Sequence, residues 1–184
     1  MMILWIVLGA AVLAVLMFIG IFNSLVALRN QTQNAWSQID VQLKRRYDLI
    51  PNLLEAVKGY MGHERATLEN VTRARSQAMS AQSVGEKSRA EGALTDSVNK
   101  FFLVVENYPE LKANQNFMAL QEELRSTENK IAFARQSYND QILFYNNKLQ
   151  MFPSNVVAGC FQFKQGEYFQ MDDAAHRAAP QVKF

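Results

Sequence analysis

The chain opens on an unbroken apolar run and then turns amphipathic. Met1 to Phe22 hold no charged side chain and no strongly polar one. These 22 residues at helical rise span about 33 Å, enough for a hydrocarbon core of about 30 Å. From Ser24 to Leu54 the positions Leu25, Leu28, Thr32, Trp36, Ile39, Leu43 and Ile50 fall in one helical stripe. Arg29, Gln31, Gln33, Asn34, Asp40, Gln42, Lys44 and Arg45 occupy the other faces. No helix breaker stands between Gly20 and Ile50, so the pattern predicts one helix running from the membrane into the domain.

Ile50-Pro51 is the first punctuation, because proline disfavours the helical region for the residue before it and suits a first turn. A second helix is predicted from Pro51 to about Ser80, with Leu54, Val57, Met61, Leu68, Val71 and Ala78 inward. Gly59 and Gly62 within it each cost about 1 kcal/mol against alanine, so either the helix bends there or, the commoner case, another backbone packs closely. Ser80 to Gly92 loses the period and reads as a loop inside which the next helix starts. A third helix, roughly Ser88 to Asn107, brings Leu94, Val98, Phe101, Phe102 and Val105.

Pro109 can open the fourth helix, where Phe117, Leu124, Ile131, Tyr138, Tyr145 and Phe152 recur at seven-residue spacing. Their companions Leu120, Thr127 and Ala134 give way to Ile142 and Leu149, as a drift of about 20° per heptad requires. Phe152-Pro153 should stop this helix after about forty residues, about 60 Å. Trp36 and the ladder from Phe117 to Phe152 read as core. In the tail, Phe161, Phe163, Tyr168 and Phe169 gather around Gly166 without a helical run. Capping the open end of the bundle is their expected task, ahead of contact with the membrane interface.

The predicted fold class is therefore all-α: an N-terminal transmembrane helix continuing into an elongated antiparallel bundle of about four long helices. Residues 1–23 form the anchor, 24–155 the bundle and 156–184 an aromatic tail packing on it. The runs LVALRN, NAWSQIDVQLKRRYDLIPNL, VKGYMGHERATLENVTRAR and YPELKANQNFMALQEELRSTENKIAFARQSYNDQILFYNNKLQMFPSN closely resemble the LemA family, from about Leu25 to Phe184. The resemblance implies a bacterial protein with a membrane segment (or a lipoprotein signal) and a helical domain, and it carries no catalytic role. The family usually reads FGF where this chain has Phe161, Gln162 and Phe163; Gln162 is a departure that argues against a tight backbone turn there.

Beyond the membrane segment, about 160 residues remain, enough for one domain with its own core. Eight glycines, four prolines and 49% hydrophobic residues suit a helix-rich chain. A net charge of +2 gives no sign of a nucleic-acid surface. Cys160, the single cysteine, excludes an intrachain disulfide; with no base or cation beside it, it reads as a small buried side chain. The apolar run lacks a basic n-region, a small-x-small exit and a terminal cysteine for lipidation, so an uncleaved anchor is expected. Arg29, Lys44, Arg45 and Arg46 follow it, which places the N-terminus outside and the domain in the cytoplasm.

Candidate chemistry is sparse. His63-Glu64 begins an HExxH motif, but Thr67 stands where the second zinc ligand belongs. His176 is distant, and neither histidine follows a Glu by three residues as di-metal bundles require. Glu122, Glu123 and Glu128 near Arg125 and Lys130, and Glu64 and Glu69 near Arg73 and Arg75, read as solvated helix faces. No phosphate loop or nucleophile elbow appears. No catalytic, cofactor-binding or metal-binding residues are therefore expected, and no cofactor. The expected function is a non-enzymatic helical scaffold that self-assembles at the bacterial inner membrane. It would meet the lipid bilayer through residues 1–22 and copies of itself through apolar side chains such as Met79, Met118 and Met171, together with the aromatic tail. The rivals are an adaptor for a membrane protease or envelope-stress complex, and an enzyme with a site invisible in sequence.

Overall fold

The computed structural model describes residues 1–62 and 64–170, apart from the side chain of Lys112. The described residues form helices and turns without a strand: α1 (Met2–Val57), α2 (Arg65–Ser80), α3 (Val84–Val105), α4 (Pro109–Lys112), α5 (Gln115–Gln150) and α6 (Ser154–Cys160). They group into two compact units. One comprises Met1–Ile39 with Ala134–Glu167, the other Asp40–Phe133 with Tyr168 to Gln170.

In the first unit, α1 runs unbroken from the apolar segment into its amphipathic part. Leu25, Tyr145, Leu149, Val157 and Ala158 form its buried cluster, with Phe18, Ile21, Phe22, Leu28 and Phe163 packed around it. Further along, the Trp36 and Tyr138 rings lie 5.2 Å apart, so α5 runs antiparallel to α1 here. The tail after α6 is clipped to α5 by polar groups. The Asn146 amide donates to the Gly166 carbonyl at 3.0 Å and accepts from its N–H at 2.9 Å. The Tyr138 hydroxyl donates to the Glu167 carbonyl at 2.8 Å. Gly166 eases this approach, since a Cβ there would sit 2.5 Å from the Ile142 Cδ1 atom and push that methyl aside.

The second unit buries Leu43, Ile50, Leu53 and Val57 of α1 and Val71, Ala74 and Ala78 of α2. Leu94, Val98, Phe101 and Val105 of α3 and Phe117, Leu124 and Ile131 of α5 complete its apolar core. Helices α2 and α3 pack on each other. A capping box starts α3: the Ser83 hydroxyl accepts from the Glu86 N–H while the Glu86 carboxylate accepts from the Ser83 N–H. The helix thus begins at Val84, earlier than the loss of apolar period suggests.

Several expectations are corrected. Pro51 lies inside α1, which ends at Val57. Proline removes the N–H that would bond the Tyr47 carbonyl one turn back, and the Arg75 Nε atom donates to that carbonyl at 2.7 Å instead. Arg75 is therefore a structural donor, not part of a solvated face. With the orphaned carbonyl satisfied, burial of Leu53 and Val57 holds the last turns helical. Gly59 and Gly62 mark the end of the helix; a Cβ at either meets nothing within 4 Å, so no close packing explains them. Pro109 opens only the single turn α4, and the long helix begins at Gln115. Asn114 caps it, its side-chain oxygen accepting from the N–H groups of Asn116 and Phe117. Phe152 is 82% exposed and leaves the ladder, because α5 has already ended. Cys160 is exposed, on the outer face of α6. Gln162 adopts φ 54°, so the turn is present despite the missing glycine.

The Arg75 bond is testable as a pair with Pro51. Arg75→Leu is expected to cost about 1.5–3 kcal/mol, the range for a bond with a charged donor. The cost should shrink when Pro51→Ala restores the helical N–H. A urea-unfolding double-mutant cycle reads this coupling; equal costs in both backgrounds would refute it.

Candidate functional site

The densest polar chemistry among the described residues lies inside the second unit, where α1, α3 and α5 meet. The apolar stripe of α1 skips from Leu43 to Ile50, and Arg46 and Tyr47 fill the gap on the same face. Arg46 is 1% exposed. On α3, Ser88, Glu91, Thr95 and the apolar Leu94 and Val98 share one face by helical spacing. Glu128 reaches in from α5, two turns before Ala134.

The Arg46 guanidinium is surrounded. Its Nη1 atom donates to Glu91 Oε2 at 2.9 Å and its Nη2 to Thr95 Oγ1 at 3.0 Å. Its Nε atom stands 2.8 Å from Glu128 Oε1, an ion pair whose alignment is not that of a hydrogen bond. The Tyr47 hydroxyl donates to the other Glu91 oxygen. Toward the rim, Lys87 pairs with Asp40 at 2.7 Å, Arg45 with Glu123, and the Ser88 hydroxyl donates to the Gln170 carbonyl.

Burial pushes the Glu91 carboxyl above its usual range, opposed by the bond from Tyr47 and the charge of Arg46. Glu128 is raised for the same first reason, with Arg46 opposing and Glu91 adding to the rise. Burial, and then the bond to Glu91, drive the Tyr47 phenol far upward, so it stays a proton donor. One guanidinium thus faces two carboxylates, and the cluster takes up a proton more readily than either carboxylate would in water. Glu128 is not part of a solvated face, as its spacing suggested, because Arg46 draws it against α1.

A cleft of about 470 Å³ opens at the outer edge of this cluster, lined by Thr95, Phe102, Glu106, Gln121, Arg125 and Glu128 among others. The ionisable group that reaches both cleft and cluster, Glu128, is already engaged by Arg46. The arrangement supplies a cross-link of three helices in which each charge faces an opposite one. No activated nucleophile stands beside a base within it. Among the described residues no group of three His, Cys, Asp or Glu side chains could hold a metal ion. His63, His176 and Met171 lie outside the described residues.

Fold and cluster define the class: an all-helical protein whose first helix is long and apolar enough to cross a membrane, and whose buried charges tie three helices together. The LemA family model matches residues 35–184, and the chain belongs to that family. It is similar to "Protein LemA" of Metamycoplasma hominis, with 30% identity over 77% of this chain and 65% of the relative. It is also similar to "Magnetosome protein MamQ 2" of Paramagnetospirillum magneticum, with 24% identity over 87% of this chain and 70% of that protein. "Magnetosome protein MamQ" of Magnetospirillum gryphiswaldense shares 21% identity over 80% and 64% of the two chains. The chain thus spans about two thirds of the length of these relatives.

Proposed function

We propose that this protein is a non-enzymatic helical scaffold, anchored in the bacterial inner membrane by residues 1–22 and self-assembling there. The helical domain faces the cytoplasm in this reading, as the basic residues after the anchor favour. The observation that carries self-assembly is apolar surface left uncovered beyond the anchor. Phe133 is 76% exposed, and Val41 and Leu103 are each 64% exposed. Contiguous apolar surface marks contact sites, and in this reading these side chains supply it when copies meet. Anchoring confines copies to a plane and raises their effective concentration, so weak contacts count. The buried ion cluster supports a structural rather than a reactive role, since each of its charges faces an opposite charge on another helix.

Full-length protein in mild detergent and in nanodiscs should give a defined multimer by native mass measurement, and Phe133→Ser should weaken it. A clean monomer at micromolar concentration in both media would sink the scaffold reading and leave the adaptor for a membrane protease or stress complex.

A further inference from the structure

The stretch Leu149–Phe163 holds no charged side chain and is bracketed by Lys148 and Lys164. Within it, α6 turns Val157 and Ala158 inward against the Leu25 cluster. On the open surface of the stretch, beside the polar Asn155 and Gln162, large apolar side chains stand out: Phe152 is 82% exposed, Met151 61%, Val156 54% and Phe161 52%.

The depth of this surface follows from its neighbours. The Phe161 ring lies 5.9 Å from that of Phe18 and 4.6 Å from that of Phe22. Phe18 and Phe22 close the apolar run, and the turn between them covers about 6 Å of helix. If residues 1–22 fill the hydrocarbon core, Phe161 sits level with its last turn. The α5 register agrees. Tyr138 meets Trp36 and Tyr145 meets Leu25, so the end of α5, with Met151 and Phe152 just beyond, reaches the level of Phe22.

Charge is arranged to match a membrane surface. Arg29 lies over the Phe163 ring at 5.4 Å. Lys148 and Lys164 flank the apolar stretch, and no Asp or Glu occurs between Gln141 and Gly166. Aromatic side chains at the boundary with basic residues just outside it are the pattern of an element lying in the interface plane.

We propose that Met151–Phe161 is a membrane-interfacial foot. Met151, Phe152, Val156 and Phe161 enter the boundary between headgroups and acyl chains beside the exit of α1, while Arg29, Lys148 and Lys164 meet lipid phosphates. The inference rests on the anchor reading above and adds a second membrane contact, which fixes the first unit's tilt and height against the bilayer. It favours, for Phe161, the membrane-interface contact that capping of the bundle end was expected to outrank.

Cys160 makes the test direct, being the single cysteine and exposed on this surface. Full-length protein labelled there with an environment-sensitive fluorophore is placed in phosphatidylethanolamine–phosphatidylglycerol vesicles at low protein-to-lipid ratio. Flotation after a carbonate wash reports the anchor separately. The expected result is flotation, a blue-shifted emission, strong quenching by lipids brominated near the headgroup end, and a severalfold loss of quenching by aqueous iodide. Phe152→Glu with Val156→Glu, which alters side chains outside the core, should keep flotation and helicity but abolish lipid quenching. Protein that floats with its probe fully open to iodide overturns the foot alone, and failure to float overturns the anchor with it. Lipid quenching unchanged by the double substitution, or protection that grows with protein density because a second copy covers the surface, also overturns the foot.

Discussion

Arg46→Ala is expected to lower stability by ~3–5 kcal/mol at neutral pH, because it strands a buried carboxylate without its counter-charge. Glu91 is 2% exposed and keeps the bond from the Tyr47 hydroxyl and the more distant charge of Lys87 once the guanidinium is gone. The pH dependence gives the effect a signature. Burial holds Glu91 and Glu128 above the usual carboxylate range, so the folded state binds protons that the unfolded state has released. Their contribution is fully present below the unfolded value, about 4.3, and is lost as pH rises through the folded values. Removing Arg46 raises those folded values further. The deficit of the variant should therefore be small in acid and widen toward neutral pH. Denaturant titrations at a series of pH values measure this. Combining Arg46→Met and Glu91→Leu with Glu128→Gln and Tyr47→Phe should recover much of the loss, since no buried charge or hydroxyl is then left without its partner. A variant within ~0.5 kcal/mol of the wild type at neutral pH, the range of an ordinary surface change, would show that Glu91 does not depend on Arg46.

How far the sequence could be read depends on whether a residue's neighbours lie one turn away or on another helix. The continuous first helix was legible because apolar length and stripe are local properties, and the buried positions Leu25, Ile39, Leu43 and Ile50 follow the predicted face. The ladder from Phe117 to Tyr145 was legible for the same reason. Pro51 was misread because its missing N–H is compensated by Arg75, a residue of α2 that no local rule connects to it. Arg46 and Glu91 look like solvent-facing charges until their phase is counted. Arg46 falls between Leu43 and Ile50 on the inward face, and Glu91 lies one turn before Leu94. A charge standing in phase with a buried stripe was the available signal. The partner it implies, Glu128 on α5, could be found only in three dimensions. Asn146 is a similar case. Its place beside Tyr145 in the ladder says nothing of the Gly166 peptide it clasps.

Tyr138→Ala is expected to cost ~3–5 kcal/mol, while Phe152→Ala should fall within ~0.5 kcal/mol of wild type. Both positions belong to one seven-residue ladder in sequence, so only the structure separates them. Tyr138 is 5% exposed, stacks at 5.2 Å on Trp36 and donates its hydroxyl to the Glu167 carbonyl at 2.8 Å. Truncation would open a cavity in the first unit and release the tail at one of its clips. Tyr138→Phe isolates the second part and should cost ~1 kcal/mol, with the freed carbonyl able to turn to water. Burial pushes the Tyr138 phenol up to about 12, so the neutral hydroxyl is favoured in the folded state. Its contribution holds below the unfolded tyrosine value, about 10, and is lost as pH rises through the folded one. The phenylalanine variant lacks that alkaline loss. Phe152, past the end of α5 and 82% exposed, has no core contact to lose. Its removal should appear instead in the membrane, as weaker lipid quenching of a probe at Cys160 with the melting temperature unchanged. Equal destabilisation by the two alanine substitutions would place Phe152 in the core and remove the exposed surface on which the interfacial foot depends.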